Sequence, residues 1–213
     1  MLEFTTEDLS SEDIARLRGI YEPLAESVRS LVDATIRTEA DAQTVAEVKR
    51  DIDAAVVRLR ERQLDGAFGV RVTTSGESLG WGNAVIGIRN ACAPPLITHR
   101  DESGRVSADI HLGAAYEGPP GHVHGGVAAL ILDHILGEAA SVDRQPRFTG
   151  SITMRYLRPT KLGPLHTAAI RTRTDGVKTF CSGHISDAEG ITVEAEGVFI
   201  TPRWLRDAPE LGG

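Results

Sequence analysis

The residues best suited to chemistry lie in one run, Glu117-Gly-Pro-Pro-Gly-His-Val-His-Gly-Gly-Val-Ala-Ala-Leu-Ile-Leu-Asp-His134. Residues 124–140 are rich in Ala, Leu and Ile and predict a helix opened by Gly125 and Gly126. The first N–H groups of a helix have no intrahelical partner, and the macrodipole favours negative charge beside them. With no side chain in the way, these glycines suit a developing negative charge such as a thioester oxyanion. The plainer reading is that they only let helix and sheet approach closely. Asp133 shifts the balance, because it interrupts the apolar run Val127 to Leu132 in a helix expected to be buried. A buried carboxylate without a partner is costly, so Asp133 reads as a reactive group.

Spacing adds a constraint. Asp133 follows Gly126 by seven residues, close to two turns, so both share a face but stand roughly 10 Å apart. One helix cannot bring both to a single carbonyl. Two antiparallel copies across a twofold axis can, which predicts a homodimer with shared sites.

Other signals are weaker. His122-Val-His124 has the His-x-His form of a metal site, but residues 127–130 are Val, Ala, Ala and Leu and supply no further ligand, so no metal is expected. Gly76-Glu-Ser78-Leu-Gly80 fits G-x-S-x-G, yet Leu-Gly-Trp-Gly-Asn is a poor helix start for a nucleophile elbow. Arg144, Arg147, Arg155, Arg158 and Lys161 form a basic cluster suited to phosphates, or simply a solvated face.

The elements around these residues follow from pattern. The chain has 213 residues, 23 Lys and Arg against 30 Asp and Glu, and 41% apolar residues, enough for a core. Residues 1–65 hold 9 basic and 15 acidic residues, so nearly all of the net −7 lies there. That surplus argues against nucleic acid as a partner. With a longest apolar run of six residues and no basic, apolar leader, neither a membrane span nor a secretory signal is expected. Cys92 and Cys181 read as two buried reduced thiols of a cytoplasmic protein.

Ile14, Leu17, Tyr21, Leu24, Val28, Leu31 and Thr35 step by threes and fours, as do Val45, Val48, Ile52, Val56 and Leu59, predicting two amphipathic helices. Ser10 with Asp13 resembles a capping box, and Pro23 predicts a kink or break. The texture changes near Gly66, so residues 1–66 are expected to form a helical extension and 67–213 the main domain. In the latter, 81–88, 105–112, 147–158, 163–174, 177–187 and 191–201 read as strands, with hairpin turns at Asp175-Gly176 and Asp187 to Gly190. Alternation in 147–158 sets Phe148, Gly150, Ile152, Met154 and Tyr156 on one side, and Thr149, Ser151, Thr153 and Arg155 on the other with Arg147. An apolar helix followed by an antiparallel meander predicts an α+β fold whose sheet wraps that helix.

The runs "YEGPPG", "HGGVAALILD" and "YLRPTKLG" resemble hotdog-fold acyl-CoA thioesterases of the PaaI-type (phenylacetic acid degradation) family, over about residues 80–202. The resemblance implies acyl-CoA hydrolysis with coenzyme A as part of the substrate and no separate cofactor, in a homodimer or dimer of dimers. It makes the Gly125 amide the group that polarises the carbonyl and Asp133 of the facing subunit the general base or nucleophile. It makes Thr149 the holder of the attacking water. Many relatives have Asn where this chain has Gly118, so His122 or His124 is expected to supply that hydrogen bond. Gly126, His122, Arg147, Arg155 and Arg158 complete the expected substrate contacts. A non-catalytic acyl-CoA-binding sensor is the alternative, disfavoured by the acidic first 65 residues and by Asp133.

Overall fold

A computed structural model describes residues 5–94, 96–141 and 145–206. It divides into two compact units, Met1–Ala93 and Pro94–Gly213. Residues 67–93 belong to the first unit, together with the two long helices.

In the first unit, β1 (Thr5–Glu7) pairs in parallel with β2 (Arg71–Thr73), which pairs antiparallel with β3 (Ser78–Leu79). Helix α1 (Ser11–Arg37) starts at the expected capping box, with Ser10 Oγ accepting from the Asp13 N–H. It runs as one helix through Pro23, whose ring faces the carbonyl of Gly19 one turn earlier. Helix α2 (Ala42–Arg60) is capped by Asp41 and has no buried residue. The expected strand at 81–88 is instead a series of turns. Asn83 Oδ1 accepts the N–H groups of both Val85 and Ile86, which captures donors that a ladder would need. Cys92 is exposed rather than buried.

The second unit is an antiparallel sheet around one helix, the hotdog architecture. Strands β4 (His99–Arg100), β5 (Val106–Leu112), β6 (Phe148–Tyr156), β7 (Gly163–Asp175), β8 (Lys178–Asp187) and β9 (Gly190–Ile200) stand in the order β4-β5-β7-β8-β9-β6. Helix α3 (Gly125–Ala140) lies in their concave face, burying Ile131, Leu132, Ile135 and Leu136 against Val106, Ile185, Val193 and Phe199. At Gly197 a Cβ would come within 2.6 Å of the Phe199 ring, so the strand is glycine where the ring folds beneath the helix. Cys181 is buried there, and burial pushes its thiol up to about 11. A four-residue helix, α4 (Arg203–Arg206), follows the sheet.

The faces of β6 differ from the alternation read in the sequence. Its register against β9 shifts between Thr149 and Ser151, leaving Gly150 as the extra residue of a bulge. Thr149 pairs with Phe199, while Ile152 and Met154 pair with Gly197 and Ala195, so Thr149 joins the side facing the helix. A side chain at 150 would meet Ile200 at 3.0 Å and the Val198 carbonyl at 3.1 Å, which is why glycine occupies the bulge. Arg155 stays on the outer side, opposite Glu194.

Candidate active site

The loop ahead of α3 is held by its own backbone. A turn closes with the His122 N–H on the Pro119 carbonyl and the Gly118 N–H on the His122 carbonyl, and Gly121 adopts φ 73° within it. Glu117 Oε1 accepts from the Gly121 N–H, and Nδ1 of His122 donates to the Pro120 carbonyl, 2.8 Å away. At Gly118 a Cβ would lie 2.7 Å from Cα of His124. A side chain here, such as the asparagine that the resemblance implies, therefore has no room unless the loop opens.

His124 is the N-cap of α3, and its Nδ1 accepts the Gly126 N–H at 2.9 Å. That partner fixes the neutral tautomer with its proton on Nε2, leaving a donor free to face a ligand. His122, with its proton on Nδ1, presents an acceptor instead. Of the two histidines expected to stand in for asparagine, His124 has the right polarity.

The helix start now balances donor by donor. The Gly126 N–H goes to His124 Nδ1, and the Val127 and Ala128 N–H groups go to the His124 carbonyl. The Gly125 N–H has no partner among the described residues. On the far side of the same residue, the Tyr156 hydroxyl donates to the Gly125 carbonyl at 2.9 Å. The Gly125–Gly126 peptide is thus clamped at both ends, by Tyr156 and by His124, beside one open donor.

Two turns along, Thr149 Oγ1 donates to Asp133 Oδ1 at 2.7 Å, a contact that exists only because the bulge turns Thr149 inward. Asp133 is half-buried rather than buried, and Thr149 is exposed. The two halves of the expected site, Gly125 and Asp133, sit on one unbroken helix and remain about two turns apart.

The basic residues divide. Arg158 is committed to Asp187 at 2.5 and 2.9 Å and to the Gly190 carbonyl, bracing the β8–β9 hairpin. The guanidinium holds the Asp187 carboxyl well down, at about 2. Arg147 donates to the Ala140 carbonyl at the end of α3. Lys161 pairs with Glu189. Arg155 keeps only a 3.7 Å contact with Glu194 and is largely exposed. Arg144 lies outside the described residues. Among the described residues, no three His, Cys, Asp or Glu side chains converge as a metal site would require.

Sequence reasoning did not single out Tyr156 or Gly150. The tyrosine stood inside a quoted motif, but nothing in its spacing tied it to Gly125, 31 residues away.

The family model for the thioesterase superfamily matches residues 120–194, the span from the glycine loop to β9. A crystal structure of a thioesterase superfamily protein is 31% identical, with a TM-score of 0.76, and the match covers 92% of this chain and 98% of that one. The PaaI protein from the phenylacetic acid degradation operon of E. coli is 14% identical, with a TM-score of 0.48 over 51% of this chain and 80% of that one. Zebrafish thioesterase superfamily member 2 is 14% identical, with a TM-score of 0.47 over 50% of this chain and 81% of that one. No curated protein gives a match. Given a 31% identical relative over nearly the whole length and a family model lying on the candidate site, the chain belongs to the thioesterase superfamily.

Proposed function

We propose that this protein hydrolyses acyl-CoA thioesters to a free acid and CoA, at sites shared between two copies. The observation that carries the reading is the open backbone N–H of Gly125, on the same helix as Asp133, which Thr149 of β6 hydrogen-bonds. In the proposed reaction Asp133 of one copy takes a proton from water, and the resulting hydroxide adds to the thioester carbonyl carbon. Thr149, whose hydroxyl hydrogen is engaged in its hydrogen bond to Asp133, offers that water its lone pairs. The carbonyl oxygen becomes an oxyanion beside the Gly125 N–H of the other copy, with His124 Nε2–H as second donor. Collapse breaks the C–S bond, and the proton held by Asp133 goes to the departing CoA sulfur. No cofactor takes part.

Two features support the shared site. Among the described residues, the outer edge of the nine-residue β6 is unpaired, a condition proteins seldom leave open. Beside it Leu130, Tyr156 and Leu157 are exposed, forming apolar surface next to the candidate residues. Arg155 is the basic residue best placed to meet CoA phosphates, since Arg147 and Arg158 brace the fold.

The test is thiol release from acyl-CoAs of varied chain length. Asp133→Asn is expected to lower turnover by roughly 10²–10⁴-fold, with unchanged sedimentation. Wild-type-like turnover of that variant, or no hydrolysis of any acyl-CoA by the wild-type protein, would overturn the proposal.

A further inference from the structure

The first unit carries a groove of about 1120 Å³ that the proposed chemistry does not use. Its apolar lining is drawn from α1 (Leu17, Leu24 and Val28), from Leu59 at the end of α2, and from Leu79 of β3. Its charged lining is mainly cationic. Arg58, Arg62, Arg71 and Arg89 line it against Glu7 and Glu61, a surplus of two positive charges.

These arginines are mostly not held by carboxylates. Arg89 lies over the Tyr21 ring, 3.6 Å from its centroid, and faces Phe68 at 5.1 Å. Arg71 pairs with Glu7 and stacks on Phe68 at 4.4 Å, yet its Nε is buried without a hydrogen-bond partner. Among the described residues Arg58, Arg62 and Arg89 make no ion pair. Stacking keeps a guanidinium in place while leaving its N–H edge open, the usual preparation for a bound anion.

The wall is specified rather than accidental. Phe68 stacks with Trp81 and packs on Gly82, where a Cβ would come within 2.7 Å of the Phe68 Cβ. The Arg89 N–H bonds the Trp81 carbonyl, and Gly87 fits that turn because a Cβ there would lie 2.3 Å from the Asn83 carbonyl oxygen.

From this we infer that the groove binds a single-chain amphiphile with a carboxylate head, its alkyl chain along α1 and its head among the arginines. The apolar lining residues account for the chain, the surplus of arginines for the head, and the volume lies just above the range usual for a ligand pocket, about 300–1,000 Å³. The inference does not depend on the hydrolytic reading.

Trp81 lines the groove, and Trp204, the other tryptophan, belongs to the second unit. In a Trp204→Phe background, titration with dodecanoate below its micelle concentration is expected to change Trp81 emission saturably. Dodecyl maltoside, with the same chain and no charge, is expected to bind at least about tenfold more weakly. Arg89→Met is expected to weaken dodecanoate by about tenfold, the scale of one charged hydrogen bond, without changing acyl-CoA turnover. Asp133→Asn is expected to leave this binding intact. Arg62→Gln, at an exposed position, serves if Arg89→Met does not fold. The inference fails if no saturable signal appears, or if charged and uncharged amphiphiles bind alike. It also fails if the groove proves to be filled by a second copy, seen as an emission change that follows protein concentration.

Discussion

Gly125 can lose its N–H without losing its place in the helix. Proline is well tolerated at the first helical position, and His124 before it already has the extended ψ of 132° that proline demands. A Cβ at 125 meets the Tyr156 ring at an ordinary 3.5 Å. Gly125→Pro therefore deletes one donor and little else, and it is expected to cut turnover by roughly 10²–10³-fold with an unchanged melting temperature. Tyr156→Phe tests the clamp rather than the donor. Losing the hydroxyl frees the Gly125 carbonyl, so the expected result is a lower kcat, by about tenfold, with KM little changed. A large rise in KM instead would mean that Tyr156 serves mainly to bind substrate. The sequence could point to Gly125 and Asp133 because helix spacing is a local property. It could not show Tyr156 or the commitment of Arg158, whose partner Asp187 is 29 residues away across a hairpin.

At the scale of elements, β6 and the β8–β9 hairpin carry the most information. The antiparallel sheet, the wrapped helix and both hairpins were readable, since period-two alternation and turn residues survive in the sequence; the strand order was not, because β6 pairs with distant β9 rather than with β7, its neighbour in the chain. The facing of Thr149 was not, because one unpaired residue reverses every side chain beyond it, and alternation holds no mark of where that residue sits. The turns at 81–88 escaped for a related reason. Val85, Ile86 and Ile88 look like strand, while the deciding contacts belong to the side chain of Asn83. Gly150→Val is expected to force the bulge out of register and to break the Thr149–Asp133 contact, abolishing turnover while most of the sheet stays folded by circular dichroism. The hairpin gives a pH prediction. Arg158 depresses the Asp187 carboxyl to about 2, so the stabilisation is fully present above the ordinary carboxylate value near 4 and is lost as pH falls toward 2. Asp187→Asn is thus expected to lower the melting temperature at pH 6 but to match the parent near pH 2. An equal deficit at both pH values would assign the effect to packing.

For the molecule as a whole, the unpaired β6 edge and the apolar residues beside it make pairing of two copies the central question. Leu157→Glu, at an exposed position on that edge, is expected to give a folded chain that sediments as a monomer and has lost turnover; a monomer with full turnover would show that one chain suffices. No helix among the described residues is long and apolar enough to cross a membrane. The unbroken course of α3 from Gly125 to Ala140 has a genetic counterpart. If each site borrows its donor from one chain and its base from another, two dead variants can rescue each other. A dimer of one Gly125→Pro chain and one Asp133→Asn chain carries both defects in one site and neither in the other. Random pairing of equal amounts makes half of the dimers mixed, each with one working site of two, so about a quarter of the parent activity should return. Two defects that act within a single chain cannot be complemented by any mixture.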